Sequence, residues 1–232
     1  MHITLTGNLG SGKSTISRIL EEKYGYEIFS TGKVIRKIAL EHNVAVLEMN
    51  KIMEADHQYD HMIDDTTARI SKENPDKDIL FDSRLAWNFV EKSFKVFLSA
   101  SVDVAAKRVM QDEKRGKVEV YASLEEAKQK LTDRVITEDR RYRDIYGIEY
   151  LNPLNYNLVL DSTECSPDVL ARILIDEAKA YEAAEQAGRG GYTKLLLSVN
   201  RPKEDFAKER EAGIVTKQML QGIEFEVIAL NA

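Results

Sequence analysis

The chain has 232 residues, 43% hydrophobic and 31% charged, which is enough apolar material for one sizeable core with an appendage and too much for a disordered segment. A formal net charge of -6 excludes a broad basic face for nucleic acid, so any polyanion site must be local. Cys165 is the only cysteine, which excludes an internal disulfide framework and a Cys-rich metal site, and with no long apolar run or leader pattern the expected location is cytoplasmic, with no membrane partner.

Taken in chain order, strand-like and helical runs alternate. The strand candidates are His2 to Thr6, Glu27 to Ser30, Asp78 to Asp82, Lys95 to Ser99 and Asn157 to Asp161. Between them lie helical runs from Lys13, from Thr31 to about Lys72, from Val102 to about Arg115 and from Leu124 to about Tyr142, and a last helix opens at Pro167 behind Ser166. This alternation predicts an α/β fold, a doubly wound parallel five-stranded sheet covered by helices. Residues 187–191 read Ala, Gly, Arg, Gly, Gly, which is linker chemistry. The expected units are therefore a domain over 1–187 and a small β-α-β extension over 192–232, with strands at Lys194 to Val199 and Glu224 to Leu230 flanking a helix from Pro202 to Gln221. So short an extension cannot bury a core of its own, and is expected to pack on the sheet edge or on a second subunit as a homo-oligomer.

Gly7, Asn8, Leu9, Gly10, Ser11, Gly12, Lys13 and Ser14 satisfy the Walker A pattern between the first strand and the first helix, with Thr15 next in the helix. Glycines let the backbone N–H groups turn inward on a phosphate, and the helix N-terminus adds positive potential. Lys13 can reach the β- and γ-phosphates of ATP, and the Ser14 hydroxyl can ligate Mg²⁺. The loop defines a P-loop NTPase site without naming the acceptor, since GTPases, motor ATPases and small-molecule kinases share it.

Three further segments narrow the reading. Ser30, Thr31, Gly32 and Arg36 close the second strand and open the next helix. Asp82, Ser83, Arg84, Leu85 and Ala86 end the third strand at the edge where open α/β sheets bind ligands; an acid there can order Mg²⁺ and an arginine can grip phosphate. Arg134 and Arg141 stand seven residues apart, on one face of a helix that runs on through Tyr142 to Tyr146, Gly147, Ile148 and Glu149. Arg108 and Arg115 repeat the spacing in the helix before.

These segments, in this order across about residues 1 to 185, resemble the cytidylate kinase-like family of P-loop nucleoside monophosphate kinases, and the Leu85-Ala86 pair is similar to their archaeal-type branch. The resemblance implies a helical acceptor-binding insert near 31–75, with Thr31, Gly32, Arg36, Asp82 and Arg84 on the acceptor. It implies a lid near 112–145, whose Arg134 and Arg141 join Lys13 in neutralising the transferring phosphoryl group. Ser14 and Asp82 would hold Mg²⁺, ATP would be the donor, and CMP or dCMP the acceptor. The chain departs from the family pattern at Lys33, where an acid is usual, and at Ser83, where glycine is usual. Two alternatives stay open on the residues alone: a kinase of a shikimate-, gluconate- or dephospho-CoA-type acceptor, and a nucleotide-sensing module. Trp87 and Phe89 are expected in packing, and His57 and His61 on the surface or in packing rather than on a metal.

Overall fold

The computed structural model describes residues 1–44, 49, 52–53, 56–112, 121–163, 165–188 and 194–196. Its centre is one parallel sheet of six strands in the order β2-β3-β1-β4-β5-β6. The strands are β1 (His2–Gly7), β2 (Glu27–Ser30), β3 (Ile79–Asp82), β4 (Phe94–Ser99), β5 (Leu158–Asp161) and β6 (Lys194–Leu196). Seven helices are described: α1 (Lys13–Tyr24), α2 (Thr31–Glu41), α3 (Gln58–Glu73), α4 (Ala86–Phe89), α5 (Val102–Gln111), α6 (Leu124–Tyr146) and α7 (Pro167–Gln186). The expected five-stranded sheet is present, and Lys194–Leu196 adds a sixth strand beside Leu158–Leu160. The remainder of the expected extension, 197–232, lies outside the described residues, as do residues 113–120 of the expected lid.

β1 is buried along its whole length, as a central parallel strand must be. Ile3 and Leu5 point to one face and pack with Ile16 and Leu20 of α1 and Leu170 and Leu174 of α7. The opposite face carries Phe97 and Val159, which meet Leu85, Trp87, Tyr142, Tyr150 and Tyr156. Full burial of each such side chain contributes about 1.5–3 kcal/mol. A third cluster, around Ile38, Met49, Met53 and Ile63, joins α2 to α3.

Helix ends follow from local chemistry. The Ser123 hydroxyl caps α6 by accepting from the Glu126 N–H at 3.1 Å, and Glu126 reaches back to the Ala122 N–H. Gly147, at φ 67°, ends the same helix by donating to the Arg143 carbonyl at 2.9 Å, while the next N–H, of Ile148, donates to the Tyr142 carbonyl at 3.4 Å. The 23 residues between form one continuous rod, which becomes the main lever of the site.

Strand register sets the floor of that site. Leu5 of β1 pairs with Asp82 of β3, which pairs with Ser30 of β2, so three chain segments leave the sheet side by side at its carboxyl edge. Thr6 Oγ1 lies within hydrogen-bond distance of the carbonyls of both Ser83 and Arg84 and pins the turn after β3 to the end of β1.

Because β6 covers the outer edge of β5, a chain cut after Ala187 should expose that edge. We expect it to bind ATP as the full chain does, to melt several degrees lower in scanning calorimetry, and to associate on heating. An unchanged melting temperature would show that the sixth strand adds nothing to the sheet.

Candidate active site

The phosphate loop is shaped by close approach. A Cβ on Gly7 would stand 2.3 Å from the Leu98 carbonyl oxygen, and one on Gly10 would stand 2.6 Å from that of Ala105, so neither position accepts a side chain without moving backbone. Behind the loop, Arg108 donates to the Gly10 carbonyl at 3.2 Å and to Ser162 Oγ at 2.9 Å, while Ser162 Oγ donates to the Ser11 carbonyl at 2.8 Å. Arg108 therefore buttresses the loop from outside, a role its spacing from Arg115 did not suggest. Ser11 Oγ and Asn8 Oδ1 are buried with no hydrogen-bond partner. Such atoms cost about 1–3 kcal/mol each unless something completes them, and a bound phosphate would accept from the Ser11 hydroxyl, whereas the Asn8 amide oxygen calls for a donor.

Residues 8–16 form one wall of a cavity of about 370 Å³, within the range of small-molecule sites. Arg108, Gln111, Asp112, Cys165 and Pro167 form the other wall. Ser14 faces the cleft from the first turn of α1 with an exposed side chain, and Thr15 follows it on the same wall. The Cys165 thiol is buried, and burial pushes its pKa up, so it is an inert wall residue.

Across the sheet edge, where an acceptor was expected, Thr31 Oγ1 donates to the Asp82 carbonyl at 3.5 Å, joining the ends of β2 and β3. Arg36 is exposed and folds back over Gly32, where a Cβ would stand 3.7 Å from Arg36 Nη1. The Asp82 side chain is half-buried at the sheet edge. Ser83, the departure from glycine, is accommodated because its hydroxyl accepts from the Leu85 N–H and closes the turn.

The centre of the arrangement is Glu138, which the sequence offers as an i+4 partner of Arg134 but not as a residue of the site. Glu138 lies on α6 with only 14% of its side chain exposed and accepts from Arg84 Nε and Arg134 Nε, each at 2.9 Å. Arg84 also donates through Nη1 to the Gly7 carbonyl, which receives Lys13 Nζ at 2.6 Å as well. Burial alone would lower the Arg84 pKa, but the Glu138 carboxylate more than offsets this and holds the guanidinium charged. Burial pushes the Glu138 carboxyl upward in turn, yet the two arginines bring it well below the usual carboxylate range.

Arg134 and Arg141 do not share a partner as expected. The seven-residue spacing does put them on one face, but Arg134 turns to Glu138 while Arg141 turns to α3, its Nη2 lying 3.8 Å from Asp60 Oδ1. Arg141 also lies over the Tyr142 ring at 5.2 Å. One turn further on, the Tyr146 hydroxyl donates to Asp64 Oδ2. His61 packs edge-on against Tyr146 at 5.8 Å, and Phe89 meets the same ring at 5.7 Å, which places both residues in packing. The Trp87 ring is buried against Tyr156, 5.6 Å away.

Two outcomes follow from these charges. Glu138→Gln should destabilise the fold by about 3 kcal/mol in urea unfolding, because it leaves two guanidiniums sharing a neutral group. The Glu138 contribution is full above the unfolded carboxyl pKa and lost as pH falls through the depressed folded value, so the two proteins should converge in acid. Asp64 carries the opposite sign. Burial raises its pKa to about 6, against the Tyr146 hydrogen bond and His61, and with Asp60 and Asp65 adding to the rise. Ionised Asp64 thus works against folding at neutral pH, whereas Asp64→Asn retains an acceptor for Tyr146. We expect that variant to melt a few degrees higher than wild type at pH 7.5, about 2–4 °C per kcal/mol recovered, with the gain gone at pH 4.

Residues 2–164 match the cytidylate kinase-like family. The chain is 31% identical over 179 residues to a cytidylate kinase of Methanobrevibacter smithii, covering 77% of this chain and 99% of that one. It is 33% identical over 191 residues to a cytidylate kinase of Natronomonas pharaonis, covering 82% and 95%. It also matches an S-adenosylmethionine-dependent nucleotide dehydratase of Lacinutrix mariniflava at 28% identity, covering 79% of this chain but 37% of that longer protein. Among solved structures, a shikimate kinase of Bacteroides thetaiotaomicron superposes with a TM-score of 0.52 at 13% identity, over 80% of this chain and 98% of that one, which is a likeness of fold. With its phosphate loop, its strand-end arginine and its arginine-bearing helix in the places the fold provides, the chain belongs to the cytidylate kinase-like family, a family of P-loop phosphotransferases.

Proposed function

We propose that the protein transfers the γ-phosphoryl group of ATP to CMP or dCMP, forming CDP or dCDP. The observation that carries this reading is the shared contact of Lys13 and Arg84 on the Gly7 carbonyl, with Glu138 linking Arg84 to Arg134. Donor-side and acceptor-side cations thus meet at one point of the loop, where a transferring phosphoryl group needs charge from both sides. The family membership and the cytidylate kinase names of the relatives support the acceptor.

In this reading the loop N–H groups and Lys13 hold the triphosphate, and Arg84 and Arg36 turn an acceptor phosphate oxygen toward the γ-phosphorus. A bond forms from that oxygen to phosphorus as the bond to the β,γ-bridging oxygen breaks, and ADP leaves. The acceptor phosphate is already an anion, so no strong general base is required; alignment and charge carry the rate. Ser14 and Asp82 fit Mg²⁺, since among the described residues neither side chain has an ion pair or a hydrogen bond and each can present a hard oxygen. Bound with ATP, the ion would neutralise β- and γ-phosphate oxygens. Arg134, on the helix that leads out of the lid region, would follow the developing charge as that region closes.

An acceptor panel with ATP and Mg²⁺, read as ADP formed, tests the proposal directly. CMP or dCMP should give the highest kcat/KM, and Lys13→Ala should lower kcat by roughly two to three powers of ten while the fold survives. Turnover with shikimate or gluconate and with no nucleotide would overturn the assignment.

A further inference from the structure

Glycines give the phosphate loop its curl but leave one of its peptides without a fixed direction. Gly12 sits at φ 93°, and a Cβ there would meet nothing within 4 Å. Neither a side chain nor crowding at that residue therefore opposes rotation of the Ser11–Gly12 peptide. Its two directions are not equivalent for an anion. A trans peptide carries its carbonyl and its N–H on opposite sides, so turning it over puts an acceptor where a donor stood. Loops of this kind hold phosphate by backbone N–H groups, and a carbonyl turned toward the anion repels it.

The end of β5 supplies the missing direction. Ser162 is buried and is fixed to the sheet by its own N–H, which donates to the Ser99 carbonyl at 2.9 Å. Its hydroxyl donates to the Ser11 carbonyl at 2.8 Å. The Gly12 N–H is thereby turned away from Ser162, and among the described residues it has no partner. Arg108 decides which way the hydroxyl points. It donates to Ser162 Oγ through Nη1 at 2.9 Å and to the Ser162 carbonyl through Nη2 at 2.6 Å. A guanidinium can only donate, so Ser162 Oγ accepts on that side and its single proton is left for the Ser11 carbonyl. The same Nη1 reaches the Gly10 carbonyl at 3.2 Å, and the other end of that peptide, the Ser11 N–H, donates to the Asn8 carbonyl, also at 3.2 Å. Among the described residues Arg108 makes no ion pair; its half-buried charge is directed at two carbonyls and one hydroxyl.

We propose that Ser162 and Arg108 are positioning residues of the donor site, a directed relay of hydrogen bonds that sets the Ser11–Gly12 peptide with its N–H available to a donor phosphate. The assignment rests on the reading of the loop as the ATP site. Both residues line the same cavity of about 370 Å³ as the loop itself. The relay does more than prop the loop. A prop supports whatever shape the loop takes, whereas a fixed peptide direction acts on the phosphates of the donor and leaves its nucleoside alone.

Inorganic tripolyphosphate, which has the phosphates of ATP and no nucleoside, is the probe. The full chain is titrated with it calorimetrically in Mg²⁺, beside steady-state kinetics with ATP and CMP. In Ser162→Ala the tripolyphosphate dissociation constant and the KM for ATP should rise by the same factor, about threefold to tenfold, the range for losing one such hydrogen bond, with the KM for CMP unchanged. Ser162→Thr keeps the hydroxyl and should recover most of the loss. Arg108→Ala should weaken tripolyphosphate binding in the same direction, and the double variant should lose less than the product of the two effects, because one residue acts through the other. A Ser162→Ala protein that melts lower yet binds tripolyphosphate as wild type does would make Ser162 a purely structural residue and overturn the assignment. A loss seen with ATP but not with tripolyphosphate overturns it too, since the effect would then lie on the nucleoside. Should Ser162→Ala fail to fold, Arg108→Ala decides by the same dissociation constant. In each of these cases wild-type turnover would stand and the proposed function with it, whereas a wild-type protein that binds neither ATP nor tripolyphosphate removes both.

Discussion

One buried carboxylate organises the candidate active site of this molecule. Lys13, Arg84 and Arg134 come from the phosphate loop, the turn after β3 and the long helix α6, and the site needs them close together. Like charges do not gather unaided, since two unit charges 4 Å apart at an effective dielectric of 20 repel by about 4 kcal/mol. Glu138 supplies the counter-charge to two of the three, and the Gly7 carbonyl accepts from Lys13 and Arg84. Glu138 engages Arg84 and Arg134 through their Nε atoms. Arg84 also reaches the Gly7 carbonyl through Nη1, so the same guanidinium ties this carboxylate to the phosphate loop.

The sheet provides the other constraint. Parallel strands in register bring Thr6, Thr31 and Ser83 out of the same edge, so the phosphate loop, α2 and the arginine turn begin as neighbours. Little loop is then needed to place them, and the bonds from Thr6 and Thr31 to the ends of β3 lock what register begins. The glycines at positions 7 and 10 allow the loop to lie against β4 and α5 without a spacer, which leaves the cleft beyond it open to a nucleotide.

Much of this was legible in the residues, for reasons that differ along the chain. The phosphate loop could be read because its chemistry is contiguous: eight residues, one strand before and one helix after. The five core strands and their helices followed from alternation, and the strand candidate opening at Lys194 forms on the sheet edge, although only pairing with Leu158 to Leu160 revealed its place. The pairing of Arg134 with Glu138 was also visible as an ordinary contact one helical turn apart. The second arginine on that carboxylate was not, because Arg84 lies 54 residues away in sequence and reaches it only through the fold. Arg141 escaped in the same manner. Helical spacing puts it on one face with Arg134, but spacing cannot say that α3 will offer an aspartate there. Arg108 is a third case, its target being a backbone carbonyl 98 residues distant that no side-chain pattern marks.

The aromatic layer under the site has a practical consequence. Trp87 is the only tryptophan in the chain, and it lies three residues beyond Arg84 with its ring packed on Tyr156. The Tyr156 hydroxyl donates to the Tyr150 carbonyl at 2.6 Å, and the Tyr150 ring meets Tyr142 of α6 edge-on at 5.3 Å. A chain of two ring contacts and one hydrogen bond thus runs from the indole to the helix that carries both Glu138 and Arg141. Any shift of that helix would alter the surroundings of the one tryptophan in the chain, so the indole emission of the unlabelled protein is an optical gauge of what happens at the helix.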